Sequence, residues 1–99
     1  MEITKNQNGD AVVLALKGRL DTVTSPKLQE ALAEVLDQSD DVVLDFSEID
    51  YVSSAGLRVL LFGQKKTQGT NKSMKLNNVS TEVMEVFEIT GFSGMLTIE

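Results

Sequence analysis

The segment from residue 42 to residue 61, which reads VVLDFSEIDYVSSAGLRVLL, carries the clearest structural pattern in the chain. It begins with β-branched and aromatic side chains at positions 42–46, a composition that predicts a short buried strand. A polar stretch follows and ends at Ser53 and Ser54, and serine is a preferred residue at the start of a helix. The apolar run over 57–62 is typical of a helix buried on more than one side. This segment therefore predicts a strand, a loop and a helix.

The residues before this segment predict a hairpin and an interior strand. Residues 2–7 and 11–17 flank Asn8, Gly9 and Asp10, and an Asn-Gly pair supplies the positive φ angles of a tight hairpin turn. The second strand is apolar at nearly every position from 12 to 16, so we expect it to be buried on both faces in the interior of a sheet.

A helix is predicted to begin at about residue 25, because Ser25 can cap it and Pro26 suits its first turn. Apolar residues then recur at helical spacing and form one stripe: Leu28, Ala31, Leu32, Val35 and Leu36. Residues 37–41 are predicted to form the loop after this helix. Because a helix connects the strand at 11–17 to the strand at 42–46, we expect those two strands to be parallel.

The rest of the chain continues the alternation. Gly69 is a plausible end for the second helix, and residues 73–77 predict a fourth strand. A third helix is indicated by apolar residues with a serine cap before them and a glycine after them: Val79, Val83, Val86 and Phe87, with Ser80 and Gly91. Residues 96–98 suggest a closing strand. The order β-β-α-β-α-β-α-β over residues 1–99 predicts a single α/β domain with helices packed on a mostly parallel sheet that has an antiparallel edge.

Composition excludes several classes of function. The 99 residues include neither cysteine nor histidine, so thiolate or imidazole catalysis and the common zinc sites are not expected, and we predict no metal, cofactor or enzymatic activity. A net charge of −6 argues against nucleic-acid and membrane partners. The first residues lack the pattern of a signal peptide, so we expect a cytoplasmic protein, and a monomer is the simplest expectation for a small acidic domain.

Two polar loops are candidates for function, because in open α/β sheets ligands bind beyond the carboxyl ends of the strands. They span Gly18 to Ser25 and Ser47 to Gly56. The second loop ends in a serine pair at a helix start, where free amides and the helix dipole would stabilise a phosphate. Arg58, one turn after Ser54, would be placed to meet that phosphate. The simpler interpretation is a capping serine and a solvated arginine.

The segment 42–61 closely resembles the signature of STAS domains, especially the stand-alone bacterial anti-sigma factor antagonists. Gly18 to Asp21 is similar to the Gly-x-Leu-Asp of that family, and the resemblance continues at Gly69, at 75–79 and in the stretch from Phe87 to Phe92. Nearly the whole chain is covered, and the order of elements is the same. The resemblance therefore implies a STAS fold.

The resemblance also implies a mechanism. Such antagonists bind a cognate anti-sigma factor, which is also a GHKL-type serine kinase, and so free the sigma factor. The kinase then phosphorylates the antagonist, and a metal-dependent serine phosphatase reverses this. By position the acceptor is Ser54, and Asp21 is the aspartate that supports docking and phosphoryl transfer. The resemblance places the partner contacts at Asp21, Thr22, Ser53, Ser54, Ala55, Gly56 and Arg58.

Two alternatives stay open. Some family members have aspartate immediately before the acceptor, whereas this chain has Ser53, which makes Ser53 a second candidate for phosphorylation. Another STAS role is that of a small cytoplasmic subunit of an ABC-type lipid transporter, which would not need a phosphate on Ser54. A hydrolase with Ser54 as nucleophile is disfavoured because the chain has no histidine base.

Overall fold

Four strands form one mixed sheet in the computed structural model, which describes residues 1–99. The strand order is β1-β2-β3-β4, with β1 antiparallel to β2 and the other neighbouring pairs parallel. The elements, in chain order, are β1 (Glu2–Asn8), β2 (Ala11–Leu20), α1 (Ser25–Gln38), β3 (Asp41–Val52), α2 (Ser54–Thr67), β4 (Ser73–Asn77), α3 (Thr81–Thr90) and a 3-10 turn (Phe92–Gly94). This confirms the predicted α/β class and the element order as far as α3.

One core joins one face of the sheet to the helices. The register places Leu14 beside Leu44 and Leu44 beside Leu76, so these three side chains share a face. The predicted leucines of α1 are buried in the same core, and Phe87 of α3 packs edge-to-face on Phe46 with ring centroids 6.3 Å apart. The opposite face differs from the prediction for β2. Its residues on that face, such as Val13, are only half-buried and lie outside the core.

Both strands that lead toward the candidate site are longer than predicted. Strand β2 continues to Leu20 and β3 continues to Val52, and these last residues pair with each other. The register shifts twice along this pair, once between Ala15 and Lys17 and once between Gly18 and Arg19. The predicted loops at 18–25 and 47–56 are therefore wrong in extent: the connections are residues 21–24 and the single residue Ser53. Likewise the predicted loop at 37–41 is only residues 39–40.

The predicted closing strand is wrong as an extended element. Residue Ile98 forms an isolated parallel bridge with Leu76, at the free edge of β4. Two hydrogen bonds support it, from the Leu76 amide to the Thr97 carbonyl and from the Glu99 amide to the Leu76 carbonyl, each at 2.9 Å. The sheet therefore has four strands, and its order is β-β-α-β-α-β-α. None of the helices combines the length and the hydropathy needed to span a bilayer.

Candidate functional site

The two serines at the start of α2 have different environments. Ser53 is the N-cap: its backbone is extended, its side chain is half-buried, and its hydroxyl accepts a hydrogen bond from the Gly56 amide at 3.4 Å. Its own amide donates to the Leu20 carbonyl at 2.9 Å, which ties the helix start to the end of β2. Ser54 is the first helical residue, and its side chain is exposed. The Ser54 hydroxyl is therefore the more accessible of the two.

Gly56 lets α2 begin this close to β2. A Cβ atom at this position would lie 2.6 Å from Cγ of Leu20 and 3.0 Å from the Leu20 carbonyl oxygen. Real Cβ atoms do not make such close contacts unless the neighbouring atoms shift, so glycine is favoured here by contact and not by its φ angle. This contact fixes the height of the Ser53–Ser54 pair above the sheet.

Residues of the first connection and of the helices α1 and α2 line one groove. It has a volume of about 500 Å³ and lies between the first turns of α1 and α2, with Thr22, Gln29 and Glu30 on one side and Ala55 and Arg58 on the other. The Arg58 side chain is exposed and forms no ion pair with the carboxylates around it. The groove thus brings together three of the predicted site residues, Thr22, Ala55 and Arg58, whereas Asp21, Ser53, Ser54 and Gly56 do not line it. It leaves a free guanidinium one turn from Ser54.

Asp21 stabilises the connection between β2 and α1 through hydrogen bonds. Its Oδ1 accepts hydrogen bonds from the Val23 and Thr24 amides, each at 3.0 Å. The Thr24 hydroxyl accepts from the Asp21 amide at 2.9 Å and donates to the Arg19 carbonyl at 2.7 Å. The bond from the Thr24 amide is the main reason why the pKa of Asp21 is lowered, although desolvation opposes it. This carboxylate is ionised and already engaged.

Sequence reasoning missed one feature of the site. Arg19 and Tyr51 are cross-strand neighbours in the extended part of β2 and β3, and the guanidinium lies 4.3 Å from the centre of the Tyr51 ring. Nε of Arg19 also lies 3.8 Å from Oδ2 of Asp21. This contact could have been predicted only if β3 had been extended beyond Phe46. The polar residues after Phe46 do not have the pattern of a strand.

The site contains no evident position for a metal. Nowhere in the chain do three or more carboxylates gather at a spacing that could bind a metal ion. Asp45, which lies within β3, accepts hydrogen bonds from the Ser47 amide and from the side-chain amide of Asn78. The Ser47 bond is the main reason why the pKa of Asp45 is lowered, again against desolvation. Asp45 therefore ties the middle of β3 to Asn78, the residue that follows β4.

The mixed four-stranded sheet and the order of its elements point to one family of α/β domains. A family profile described as "Mlab, STAS domain" matches residues 3–97, and the chain belongs to the STAS domain family.

Within that family the chain is similar to anti-sigma factor antagonists. It is 32% identical over 97 residues to the anti-sigma-B factor antagonist of Listeria monocytogenes, covering 96% of this chain and 84% of the relative. The anti-sigma-B factor antagonist of Bacillus subtilis is 26% identical over 98 residues, with 99% and 90% covered. The crystal structure of an anti-sigma factor antagonist from Mycobacterium paratuberculosis shares the fold, with a TM-score of 0.85, 21% identity, and 98% and 83% covered.

Proposed function

We propose that this chain is an anti-sigma factor antagonist that works by partner switching. In its unmodified form it binds a cognate anti-sigma factor, a GHKL-type serine kinase, and thereby frees the sigma factor. Phosphorylation of Ser54 by that kinase ends the interaction, and a metal-dependent serine phosphatase restores it. The exposed Ser54 hydroxyl at the first position of α2 is the observation that carries the proposal. The similarity to antagonists over nearly the whole chain supports it.

The start of α2 suits a phosphate for electrostatic reasons. Helix geometry leaves the amides of Ser54 and Ala55 without intrahelical acceptors, and the helix dipole adds partial positive charge there. Arg58 is four residues on from Ser54, which places both on the same face of α2, and its guanidinium is free to pair with the phosphate. The modified residue can thus be accommodated without refolding.

The consequence for binding is electrostatic. A phosphoserine adds about −1.5 to −2 charges at neutral pH. The chain already carries a net charge of −6, so the phosphate adds to an existing excess of negative charge. A partner that fits the neutral serine then meets a phosphate at the interface whose charge Arg58 offsets only in part, and we expect the complex to dissociate.

Ser54 is preferred over Ser53 because of what each hydroxyl does in the fold. Transfer of a phosphoryl group to Ser53 would use the oxygen that caps the Gly56 amide, and this side chain is half-buried. We propose that Ser53 and Ala55 contact the partner around the acceptor, with Thr22 from the neighbouring connection. Gly56, which is buried against Leu20, and Asp21, whose oxygens bond within the turn, support this surface from behind.

The acceptor is tested by incubation with the cognate kinase and ATP, followed by mass spectrometry of the parent, Ser54→Ala and Ser53→Ala proteins. We expect one phosphate on the parent and on Ser53→Ala, and none on Ser54→Ala. Phosphate located on Ser53 in the parent protein would overturn the assignment.

The switch is tested separately by binding. Ser54→Asp should weaken the affinity for the anti-sigma factor, whereas Ser54→Asn, which has the same shape without the charge, should bind nearly as tightly as the parent. Equal affinity of Ser54→Asp and Ser54→Asn would count against an electrostatic switch. Recovery of a transporter ATPase in place of a serine kinase in a pull-down would instead support the role in lipid transport.

A further inference from the structure

We propose that residues 21–25 form a rigid docking turn that inserts Val23 into an apolar recess of the anti-sigma factor, beside an acidic residue of that partner that pairs with Arg19. This inference rests on the proposed function, because it identifies how the same partner is held. The contact that Val23 and Arg19 make does not depend on whether Ser54 is phosphorylated.

The docking turn is held by its own polar groups. Asp21 accepts from two amides of the turn, and Thr24 links the Asp21 amide to the Arg19 carbonyl. Ser25 is 3% exposed; its hydroxyl donates to the Asp21 carbonyl, and its amide donates to the same oxygen at 2.9 Å. Because its hydrogen bonds are satisfied internally, the turn loses little conformational freedom when it binds.

Val23 points away from this network into solvent. Its exposure is 85%, although its amide is fixed by Asp21. An aliphatic side chain held in water by a rigid turn gains nothing for folding, but burial of it in a partner would contribute to binding. Exposure alone does not single it out, since Ile89 on α3 is 86% exposed. The difference is that Val23 adjoins the candidate site, whereas Ile89 belongs to the last turn of α3.

Arg19 and Tyr51 give the docking turn a second kind of contact. Arginine and tyrosine are enriched among the residues that dominate protein interfaces. Stacking on the Tyr51 ring holds the guanidinium of Arg19 in place, and the Arg19 side chain remains 63% exposed. Asp21 is its only ion-pair partner, at 3.8 Å from Nε, so other N–H groups of the guanidinium are free to bind a carboxylate. The partner chemistry that fits is therefore an apolar recess bordered by an acidic residue.

Asp21 acts in this arrangement as a positioning residue. Both of its oxygens face groups of the chain itself, and hydrogen bonds to its ionised form lower its pKa. A carboxylate stabilised in this way is a poor proton acceptor, so its contribution is to hold the amides that orient Val23.

The main test compares Val23→Ser with Ile89→Ser, the same kind of truncation at two equally exposed aliphatic residues. With the purified anti-sigma factor kinase, Val23→Ser should raise Kd about tenfold, as expected when an interface anchor is truncated. Its KM as a phosphorylation substrate should rise by a similar factor with kcat unchanged, because the acceptor is intact. Ile89→Ser should match the parent in both. An unchanged Kd for Val23→Ser, or an equal loss in both variants, would overturn the proposal.

A second comparison tests how Asp21 acts. Asp21→Asn keeps an oxygen that can accept from the Val23 and Thr24 amides, whereas Asp21→Ala removes it. We expect Asp21→Asn to retain kcat, and Asp21→Ala to raise KM as Val23→Ser does. If Asp21→Asn lowers kcat as much as Asp21→Ala, then Asp21 takes part in the chemistry and the positioning role is wrong.

These outcomes can be separated from failure of the phosphoswitch. If Ser54→Asp binds as tightly as the parent while Val23→Ser binds weakly, the switch fails and the docking turn stands. If Ser54→Asp loses affinity and Val23→Ser does not, the docking turn fails alone. Light scattering of the free protein provides one further arm, because a dimer that Val23→Ser abolishes would show that a second copy, and not the kinase, occupies this surface.

Discussion

The two connections from strand to helix use their polar side chains in opposite ways. Between β2 and α1 the polar groups of Asp21, Thr24 and Ser25 are bonded within the turn, and an apolar side chain faces solvent. Between β3 and α2 a single residue, Ser53, caps the helix, and the hydroxyl of Ser54 stays exposed. A polar residue near a functional site is therefore not automatically a functional group. The Ser54 hydroxyl is available for modification because it is exposed and does not cap α2.

The largest change in the free energy of unfolding should come from a substitution of Gly56, because this residue sets the spacing between the two connections. Gly56→Ala forces a Cβ against the Leu20 side chain and carbonyl, and overpacking of this kind costs about 1–3 kcal/mol in the free energy of unfolding. The usual gain of about 0.5–1 kcal/mol from replacing a helical glycine offsets only part of that cost. Urea denaturation measures the difference.

Gly94→Ala is the matched control, because a Cβ at that position meets no atom within 4 Å. We expect its free energy of unfolding to stay within about 0.5 kcal/mol of the parent, as for most surface substitutions. Equal stability of the Gly56→Ala and Gly94→Ala proteins would contradict the close approach of α2 to Leu20.

A smaller effect, measured as a pH dependence of the free energy of unfolding, should come from the hydrogen bonds that Asp21 accepts between β2 and α1. Because hydrogen bonds lower the pKa of Asp21 in the folded state, its contribution to stability is complete above the pKa of the unfolded state, which is about 4. That contribution is lost as the pH falls through the lower pKa of the folded protein. The free energy of unfolding of the parent should therefore exceed that of Asp21→Asn at neutral pH, and the difference should shrink as the solution is acidified.

Denaturation of both proteins in a series of buffers from neutral to acidic pH checks this sign. Asp45, whose pKa is also lowered, is present in both proteins, so its own loss of stability in acid cancels in the difference. A difference that grows on acidification would mean that the folded state raises the pKa of Asp21.

The same two connections show which structural features the sequence predicts and which it does not. The helix starts at Ser25 and Ser54 were predictable from local signals, because a polar residue followed by apolar residues marks each of them. The predicted role of Ser25 as a cap was wrong: the N-cap of α1 is Thr24, which makes no side-chain capping bond, and the Ser25 hydroxyl donates to the Asp21 carbonyl instead. The exposure of the Ser54 hydroxyl followed from the predicted start of α2. The extent of β3 was not predictable, since its final residues include the exposed Ser47, Glu48 and Asp50.

Burial along the end of β3 explains that failure. Buried residues fall at Phe46, Ile49 and Val52, a spacing of three and not the two of a regular strand. The register shifts in the pairing with β2 produce this spacing, and they depend on contacts with a distant part of the chain. The Arg19–Tyr51 pair was missed for the same reason, because it exists only when both strands are extended and aligned.

The smallest effects should separate the two serines of the second connection. Removal of an N-cap hydroxyl typically costs about 1 kcal/mol of stability. The bond from the Gly56 amide to Ser53 is long, at 3.4 Å, so Ser53→Ala should fall at the lower end of the range, at about 0.5 kcal/mol. Ser80→Ala gives a calibration on α3, because that cap accepts from the Val83 amide at a shorter 3.2 Å and should cost slightly more.

Ser54→Ala should leave the free energy of unfolding within about 0.5 kcal/mol of the parent, because the lost hydroxyl is exposed and alanine is a good helix former. Urea denaturation of the three alanine variants under one set of conditions gives the ranking. If Ser54→Ala destabilised the protein more than Ser53→Ala, then the Ser54 hydroxyl would be part of the fold. Phosphorylation there would then remove an interaction that holds α2 in place, and the modification would act by unfolding the helix start and not by adding charge to an intact surface.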